Sequence, residues 1–156
     1  SVSESVWDYP RPPRVEPCRR PVRIEHGGEV VAESDRALRV LETASPPTIY
    51  VPRADIRTEL LTEAEGTRTF CEWKGHASYL HLDAGGKRSE SAAFFYAEPR
   101  PGFEALRDHV SFYAGRVDAA WLGDERVRPQ AGSFYAGWVT DDIEGPFKGD
   151  PGTEGW

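Results

Sequence analysis

Short apolar segments, separated by glycine and proline, run along almost the whole chain. These two residues make up 28 of the 156 positions, and most stretches between them are too short for a helix of ordinary length. Strands need only about five residues, and glycine and proline are the residues that turns use. The pattern therefore predicts many short strands and a mainly β, antiparallel fold with one or two short helices.

Alternation of apolar and polar side chains predicts where the strands lie. A hairpin is expected around His26-Gly27-Gly28, and further strands at 37–43, 48–51, 67–74, 77–82, 91–96, 110–113 and 116–122. The best helix candidate is Ala54 to Leu61, because Asp55 can cap it and its apolar residues recur at helical spacing.

The first 21 residues differ from the rest. Pro10, Pro12 and Pro13 remove backbone donors and fix φ, so helix and central strand are both disfavoured there. Trp7 and Tyr9 are unusual in a disordered tail. We expect residues 1–21 to be an extended arm, with a flexible extension as the alternative, and residues 22–156 to be one domain that includes a Gly/Pro-rich C-terminal tail.

The charge balance excludes some classes of protein. Nineteen Lys and Arg stand against 26 Asp and Glu, which gives a net charge of −7 and disfavours a general nucleic-acid binder. No apolar run approaches the ~20 residues that span a bilayer, and the first residues show no signal-peptide core. We expect a cytoplasmic protein without a membrane or nucleic-acid partner, and homo-oligomerisation stays open.

Lysine occurs three times beside sixteen arginines, so each lysine draws attention. Two of them stand in the pattern aromatic-Lys-Gly, at Lys74 and Lys148. A compact ammonium next to a ring suits an anion or carbonyl ligand, whereas the alternative is a surface lysine at a turn.

Strand alternation makes Lys74 the stronger candidate. If the strand continues to residue 74, then Phe70, Glu72 and Lys74 share one face. In the earlier strand Glu42 continues an apolar row after Leu38 and Val40. Because an unpaired buried carboxylate is unfavourable, we predict that Glu42 and Lys74 meet in a partly buried polar pocket; the alternative is a solvated Glu42 at its rim.

Eighteen aromatic residues accompany these charged groups. Most must form the core, since a domain of this size needs large side chains to bury. At least two are expected to face a flat or cyclic ligand instead. The candidate set of ligand-binding residues is Glu42, Tyr50, Trp73, Lys74, Tyr79, Tyr96 and Trp138.

The sequence gives little support for a catalytic cysteine-histidine dyad, a metal site or a cofactor-binding motif. Cys71 and His76 would permit a nucleophilic dyad, but a lone cysteine in an apolar strand is more often a small buried side chain. The candidate catalytic residues are thus Lys74, Cys71, Glu42 and His76. Histidine and cysteine spacings do not match a metal site, and no phosphate loop, dinucleotide fingerprint or nucleophile elbow occurs. We expect no metal and no cofactor.

Several of these segments resemble the bacterial domain-of-unknown-function 427 family, in a longer and arginine-rich version. The specific elements are Tyr50-Val51-Pro52 with Asp55, and Cys71-Glu72-Trp73-Lys74-Gly75 with Ser78-Tyr79. The similarity covers about residues 20–150. Supporting segments are 37–43, 94–99, 109–113 and 137–149.

This resemblance implies a β-tent, in which two antiparallel sheets lean together. Domains of that shape often hold zinc through paired Cys-x-x-Cys motifs, which are absent from this chain. They also place a ligand in an aromatic pocket between the sheets. We therefore predict a binding domain for a small cyclic or anionic ligand; the alternatives are a small-molecule enzyme that uses Lys74 or Cys71 in the same pocket, and a protein-interaction module.

Overall fold

Strands dominate the computed structural model, which describes residues 3–156. They account for 47% of these residues, and 3-10 turns for 10%. The prediction of a mainly β fold is confirmed. No helix among the described residues has the length and apolar character needed to cross a membrane.

Fifteen strands lie within the described part of the chain. In chain order they are β1 (Glu4–Ser5), β2 (Arg14–Pro17), β3 (Val22–His26), β4 (Glu29–Ser34), β5 (Leu38–Leu41), β6 (Thr48–Pro52), β7 (Leu61–Cys71), β8 (Gly75–Ala84), β9 (Lys87–Phe95), β10 (His109–Phe112), β11 (Ala119–Leu122), β12 (Glu125–Arg126), β13 (Arg128–Pro129), β14 (Trp138–Val139) and β15 (Ile143–Glu144). The 3-10 turns are Val6–Asp8, Arg53–Asp55, Thr58–Leu60, Glu104–Leu106 and Ala114–Arg116.

Two antiparallel sheets form the body of the molecule. The larger has seven strands in the order β2-β5-β6-β10-β9-β8-β7, and the smaller has four in the order β12-β11-β3-β4. Two short pairs complete the structure: β13 with β14, and β1 with β15, which run parallel. The expected hairpin is the β3–β4 pair, and its turn at Gly27 and Gly28 has positive φ at both glycines.

The main hydrophobic core lies between these two sheets. Ile24, Val31 and Leu122 from the smaller sheet pack with Val51 and Leu82 from the larger. Side chains alternate along each strand, so these residues use one face of the seven-stranded sheet only. The core is built largely of Val, Ile, Leu and Ala.

The predicted helix at 54–61 is wrong. The segment consists of two 3-10 turns with Ile56 and Arg57 between them, and Ile56 pairs with Ala32 of β4. Burying the Ile56 side chain in the core between the sheets holds the backbone extended at that point, since its φ is −119°. Helical spacing over eight residues was too weak a signal against this tertiary contact.

The other face of the seven-stranded sheet carries a second apolar cluster, rich in aromatic residues. Tyr50, Tyr79, Phe94, Tyr96 and Tyr113 belong to it, and the cluster contains no residue of the four-stranded sheet. Val40 of β5 and Tyr79 of β8 are in the same cluster although four strand spacings separate their strands, roughly 19 Å in a flat sheet. The cluster therefore extends across most of the width of the seven-stranded sheet.

The described residues of the N-terminal segment pack on the body. Val6 and Tyr9 are buried, whereas Trp7 is half exposed and makes an edge-to-face contact with Trp156. Residues 14–17 form an edge strand, β2, of the larger sheet. Ser1 and Val2 lie outside the described residues, and the boundary between arm and domain at residue 21 stays a prediction.

A group of charged side chains ties this segment to the larger sheet. Arg39 of β5 donates two hydrogen bonds of 3.0 Å to Glu4 and one of 2.7 Å to Glu16. The hydroxyl of Tyr9 donates to the same Glu4 carboxylate at 2.7 Å. The hydrogen bond from Arg39 holds the pKa of Glu4 below its ordinary value of about 4.5.

We expect Glu4→Gln to lower the free energy of unfolding at pH 7 by about 1 kcal/mol, discounted because more than a third of this side chain is exposed. The folded-state pKa is lowered, so the stabilisation is complete above pH 4.5 and disappears as pH falls through the folded value. Urea denaturation at pH 7 and pH 3 measures this difference. Glu65→Gln, at an exposed position, is the control, and an equal effect of Glu4→Gln at both pH values would contradict the prediction.

Candidate functional site

A cavity of about 280 Å³ opens on the aromatic face of the seven-stranded sheet. Strands β5, β6, β7, β8 and β9 contribute to its walls, and residues from 130–148 close it from the other side. The sequence predicted a pocket between the two sheets, whereas this cavity lies on the opposite, aromatic face of the larger sheet. A separate cavity of about 470 Å³ is lined by residues of both sheets, among them Ile49, Leu122 and Trp138.

Lys74 lines this cavity and is 8% exposed. Its Nζ is 3.5 Å from the Tyr50 hydroxyl and 5.7 Å from the centre of the Tyr96 ring. The turn that carries it is held by a 3.0 Å hydrogen bond from the Arg100 amide to the Lys74 carbonyl. Gly75 follows with φ of +111°, a conformation that favours glycine and lets β8 begin directly after the lysine.

The strand alternation used to place Lys74 fails at this turn. Strand β7 ends at Cys71, and residues 72–74 form the turn. Phe70 is 57% exposed and Glu72 is exposed, whereas Lys74 is buried and Cys71 lines the cavity with it. Lys74 thus reaches the pocket because a turn redirects the chain, not because it shares a strand face with Phe70 and Glu72.

Glu42 lines the same cavity as Lys74, as predicted for the shared pocket, but the two side chains form no ion pair. Within residues 3–156, no carboxylate oxygen lies within 4.0 Å of the Lys74 Nζ. Glu42 is half buried and acts on Lys74 only over a longer distance. A buried ammonium without an adjacent carboxylate is an unusual arrangement, because charges removed from water are normally paired.

Burial acts on Lys74, Tyr96 and Tyr113 of this pocket. Burial alone would lower the pKa of Lys74, and interactions with Tyr50, Cys71 and Glu42 raise it overall. A phenol and a thiol carry charge only when deprotonated, so among these three groups only the Glu42 carboxylate offsets the burial of the ammonium at neutral pH. Burial raises the pKa of Tyr96 and of Tyr113 far above the ordinary value. At neutral pH the cavity therefore offers an ammonium and neutral phenols, all of them hydrogen-bond donors.

The C-terminal segment forms the outer wall of the pocket. Gln130 is buried and joins two parts of this segment, since its amide donates to the Lys148 carbonyl and accepts from the Gly137 amide. Phe134 and Tyr135 lie between these points and also line the cavity. The Lys148 Nζ stands 5.8 Å from the centre of the Tyr135 ring. The cavity thus has two positively charged side chains, Lys74 and Lys148, and one carboxylate, that of Glu42.

The structure brings together some of the predicted site residues. Glu42, Cys71, Lys74, Tyr79 and Tyr96 all line the cavity. Tyr50 is fully buried behind it and reaches the site through its hydroxyl, which accepts the hydrogen bond from Lys74.

Three other candidates lie elsewhere. Trp138 is 1% exposed in the core between the sheets, and its indole donates to the Phe112 carbonyl at 2.9 Å. His76 is exposed and packs on the Phe70 ring, outside the cavity. Trp73 is half buried at the edge of the aromatic cluster and does not line the cavity.

Sequence reasoning missed Tyr113, Gln130, Phe134 and Tyr135 as pocket residues, and it singled out Lys148 without placing it in the pocket of Lys74. One signal was available, because the sequence Ser-Phe-Tyr-Ala-Gly occurs at 111–115 and again at 133–137. Both copies contribute to the pocket, the first with Tyr113 and the second with Phe134 and Tyr135. Gln130 had no signal, since an isolated glutamine in a Gly/Pro-rich tail has no distinguishing pattern.

Comparison with known sequences places the chain in a family. The profile of the family described as "Domain of unknown function (DUF427)" matches residues 14–123, more than two thirds of the chain. The chain belongs to this family. A search of curated proteins finds no match.

The family match divides the pocket into two parts. Lys74, Glu42 and the aromatic cluster lie inside the matched range, whereas Gln130, Phe134, Tyr135 and Lys148 lie after it. No three His, Cys, Asp or Glu side chains of residues 3–156 come together in a way that could hold a metal ion.

Trp138→Phe tests whether Trp138 belongs to the core or to the site. We expect the free energy of unfolding to fall by about 1–3 kcal/mol, because the Phe112 carbonyl loses its buried hydrogen-bond donor. Chemical denaturation measures the change. The folded variant should bind a ligand of the Lys74 cavity as tightly as the parent protein does. A loss of that affinity without a loss of stability would assign Trp138 to the site.

Lys74→Met tests the state of the buried ammonium. In the absence of ligand we expect the variant to be more stable than the parent protein by about 1 kcal/mol or more, because methionine of similar length removes a buried charge. Lys148→Met, at the half-exposed lysine of the same pocket, should change stability by less than about 0.5 kcal/mol. Lower stability of Lys74→Met would mean that Tyr50 and Glu42 already satisfy the ammonium.

The double variant Glu42→Gln, Lys74→Met measures how strongly these two charges interact. Since they form no ion pair, the coupling energy should stay below about 0.5 kcal/mol in denaturation experiments. A larger value would restore the direct pairing predicted from the sequence.

Proposed function

We propose that the cavity binds a small cyclic ligand whose anionic group lies next to Lys74. The observation that carries this proposal is the burial of the Lys74 ammonium, with no carboxylate of residues 3–156 within 4.0 Å of it. A bound carboxylate or similar anion would supply the missing partner and accept a charge-assisted hydrogen bond. The lining residues support a negatively charged ligand, since the cavity has two positively charged side chains, Lys74 and Lys148, and one carboxylate, Glu42.

The aromatic cluster supports a cyclic body for the ligand. Phe94 is at its centre, with ring centroids of Tyr50, Tyr79, Tyr96 and Tyr113 between 5.5 and 6.2 Å away. These rings hold one another in tilted and edge-on arrangements, so the surface offered to a ligand is stiff and apolar. A flat or cyclic molecule gains more contact on such a surface than a flexible chain does, because it loses less conformational freedom.

Size and hydrogen bonding narrow the ligand further. A volume of about 280 Å³ equals roughly nine water molecules, at the lower end for small-molecule sites. The raised pKa values of Tyr96 and Tyr113 keep both phenols as donors at neutral pH. A small ring with an anionic group and one or two further acceptors matches this set of donors.

The enzyme alternative has less support from the same geometry. A lysine that acts as nucleophile needs a lowered pKa, whereas the pKa of Lys74 is raised. His76 pairs across the strands with Phe70 and lies outside the cavity that Cys71 lines, and the two side chains form no hydrogen bond. A cytoplasmic location, the lack of nucleic-acid partners and the bacterial origin stay predictions from the sequence.

Titration with benzoate and with neutral benzamide, followed by backbone amide chemical shifts, tests the proposal. We expect benzoate to shift amides around Lys74 and Tyr96, and to bind at least tenfold more tightly than benzamide, since a hydrogen bond to a charged group contributes about 1.5–3 kcal/mol. Lys74→Met should abolish this preference, whereas Lys74→Arg should retain part of it. Equal binding of both compounds, or an unchanged preference in Lys74→Met, would refute the proposal.

A further inference from the structure

The pocket opens to solvent between two exposed aromatic rings. Phe70 is 57% exposed and Phe134 is 65% exposed, and both line the cavity. The other exposed large apolar residues, Trp7 and Trp156, pack against each other. Exposed aromatic side chains at the mouth of a pocket are typical of a surface that contacts a partner larger than the pocket itself.

A second cavity of about 280 Å³ adjoins the first and shares Phe70 with it. Arg68, His76 and Arg100 line this second cavity, together with one carboxylate, Glu98. Among the described residues neither Arg68 nor Arg100 takes part in an ion pair. The Arg100 amide donates to the Lys74 carbonyl, so a backbone hydrogen bond joins the turn that carries Lys74 to the segment that carries Arg100.

The edge of the larger sheet runs between these two sites. Strand β7 is the last strand of the seven, so one side of its backbone is unpaired. Its final residues, Arg68 to Cys71, pair regularly with β8 after an irregularity that ends at Arg68. An extended peptide can add to such an edge through main-chain hydrogen bonds.

We propose that the partner is the carboxyl terminus of an acidic peptide, which extends along the edge of β7. Its terminal carboxylate enters the pocket to meet Lys74, and its last side chain packs on the aromatic cluster. An acidic side chain upstream meets Arg68 and Arg100. Three residue steps separate Arg68 from Cys71 and span about 10 Å, so the acidic residue stands three positions before the carboxyl end.

This inference rests on the proposed function and names the class of its ligand. A peptide terminus is the one ligand class that supplies all three matching features: a carboxylate for the buried ammonium, a backbone for an open strand edge, and a side-chain charge for the two arginines. For its carboxyl end to lie beside Lys74, which follows the end of β7, the peptide must run parallel to that strand.

Fluorescence anisotropy with labelled tetrapeptides tests the inference. The probe is fluorescein-Glu-Ala-Ala-Phe with a free carboxylate, and the matched probes carry a carboxyl-terminal amide or Gln in place of Glu. We expect the amide to bind at least tenfold more weakly and the Gln peptide three- to tenfold more weakly. In Lys74→Met, the peptides with a free carboxylate and with an amide should bind equally well. In the double variant Arg68→Gln, Arg100→Gln, the Glu and Gln peptides should bind equally well.

Two controls separate this inference from the proposed function. Arg11→Gln changes an exposed arginine that takes part in no ion pair among residues 3–156, and it should leave all affinities unchanged. Benzoate binding should be the same in the double variant and in the parent protein. If benzoate binds and the peptides bind no more tightly than benzoate does, the inference is wrong and the proposed function stands. If neither benzoate nor the peptides bind, both are wrong.

Discussion

The seven-stranded sheet has two apolar faces, and the four-stranded sheet covers only one of them. The covered face packs small and branched side chains into the core between the sheets. The other face carries bulky aromatic residues, which would leave a large apolar surface in water if nothing lay over them. The segment after residue 123 provides part of the missing cover, and the pocket is the space that this cover does not fill.

The segments that cover the aromatic face have little regular secondary structure, and they also set the positions of the charged pocket residues. The Ala44 amide donates to the Val6 carbonyl at 3.0 Å, and the Lys148 amide donates to the Ala44 carbonyl at 2.7 Å. These two bonds join the N-terminal segment, the end of β5 and the C-terminal segment at one buried residue. Glu42 and Lys148 flank this junction, so the two ends of the chain together set the position of the charges at the pocket wall.

The sequence was informative wherever a local rule decided the structure. The alternation at 22–24 and the apolar residues at 30–32, with two glycines between them, were enough to predict a hairpin. The scarcity of lysine and the aromatic-Lys-Gly pattern were enough to direct attention to Lys74 and Lys148. Long-range packing decided the rest. Ile56 is extended because it packs into the core beside β4, and Trp138 lies in that core because its indole meets the Phe112 carbonyl. Neither contact has a signature within a few residues of chain.

The same distinction explains why the pocket was predicted with partly correct residues and an incorrect location. Residue type identified the aromatic and charged candidates, but the face on which each lies depends on where strands end. Strand β7 ends at Cys71, three residues before Lys74, and the turn reverses the side on which the lysine lies.

A turn can direct a charged side chain inward more easily than a strand can, because its direction is not fixed by the neighbouring strands. The resulting buried ammonium is unfavourable for the folded protein on its own. The ligand that we propose would supply the partner that the chain itself does not provide. For this reason Lys74, rather than the more numerous aromatic residues, defines the chemistry proposed for the site.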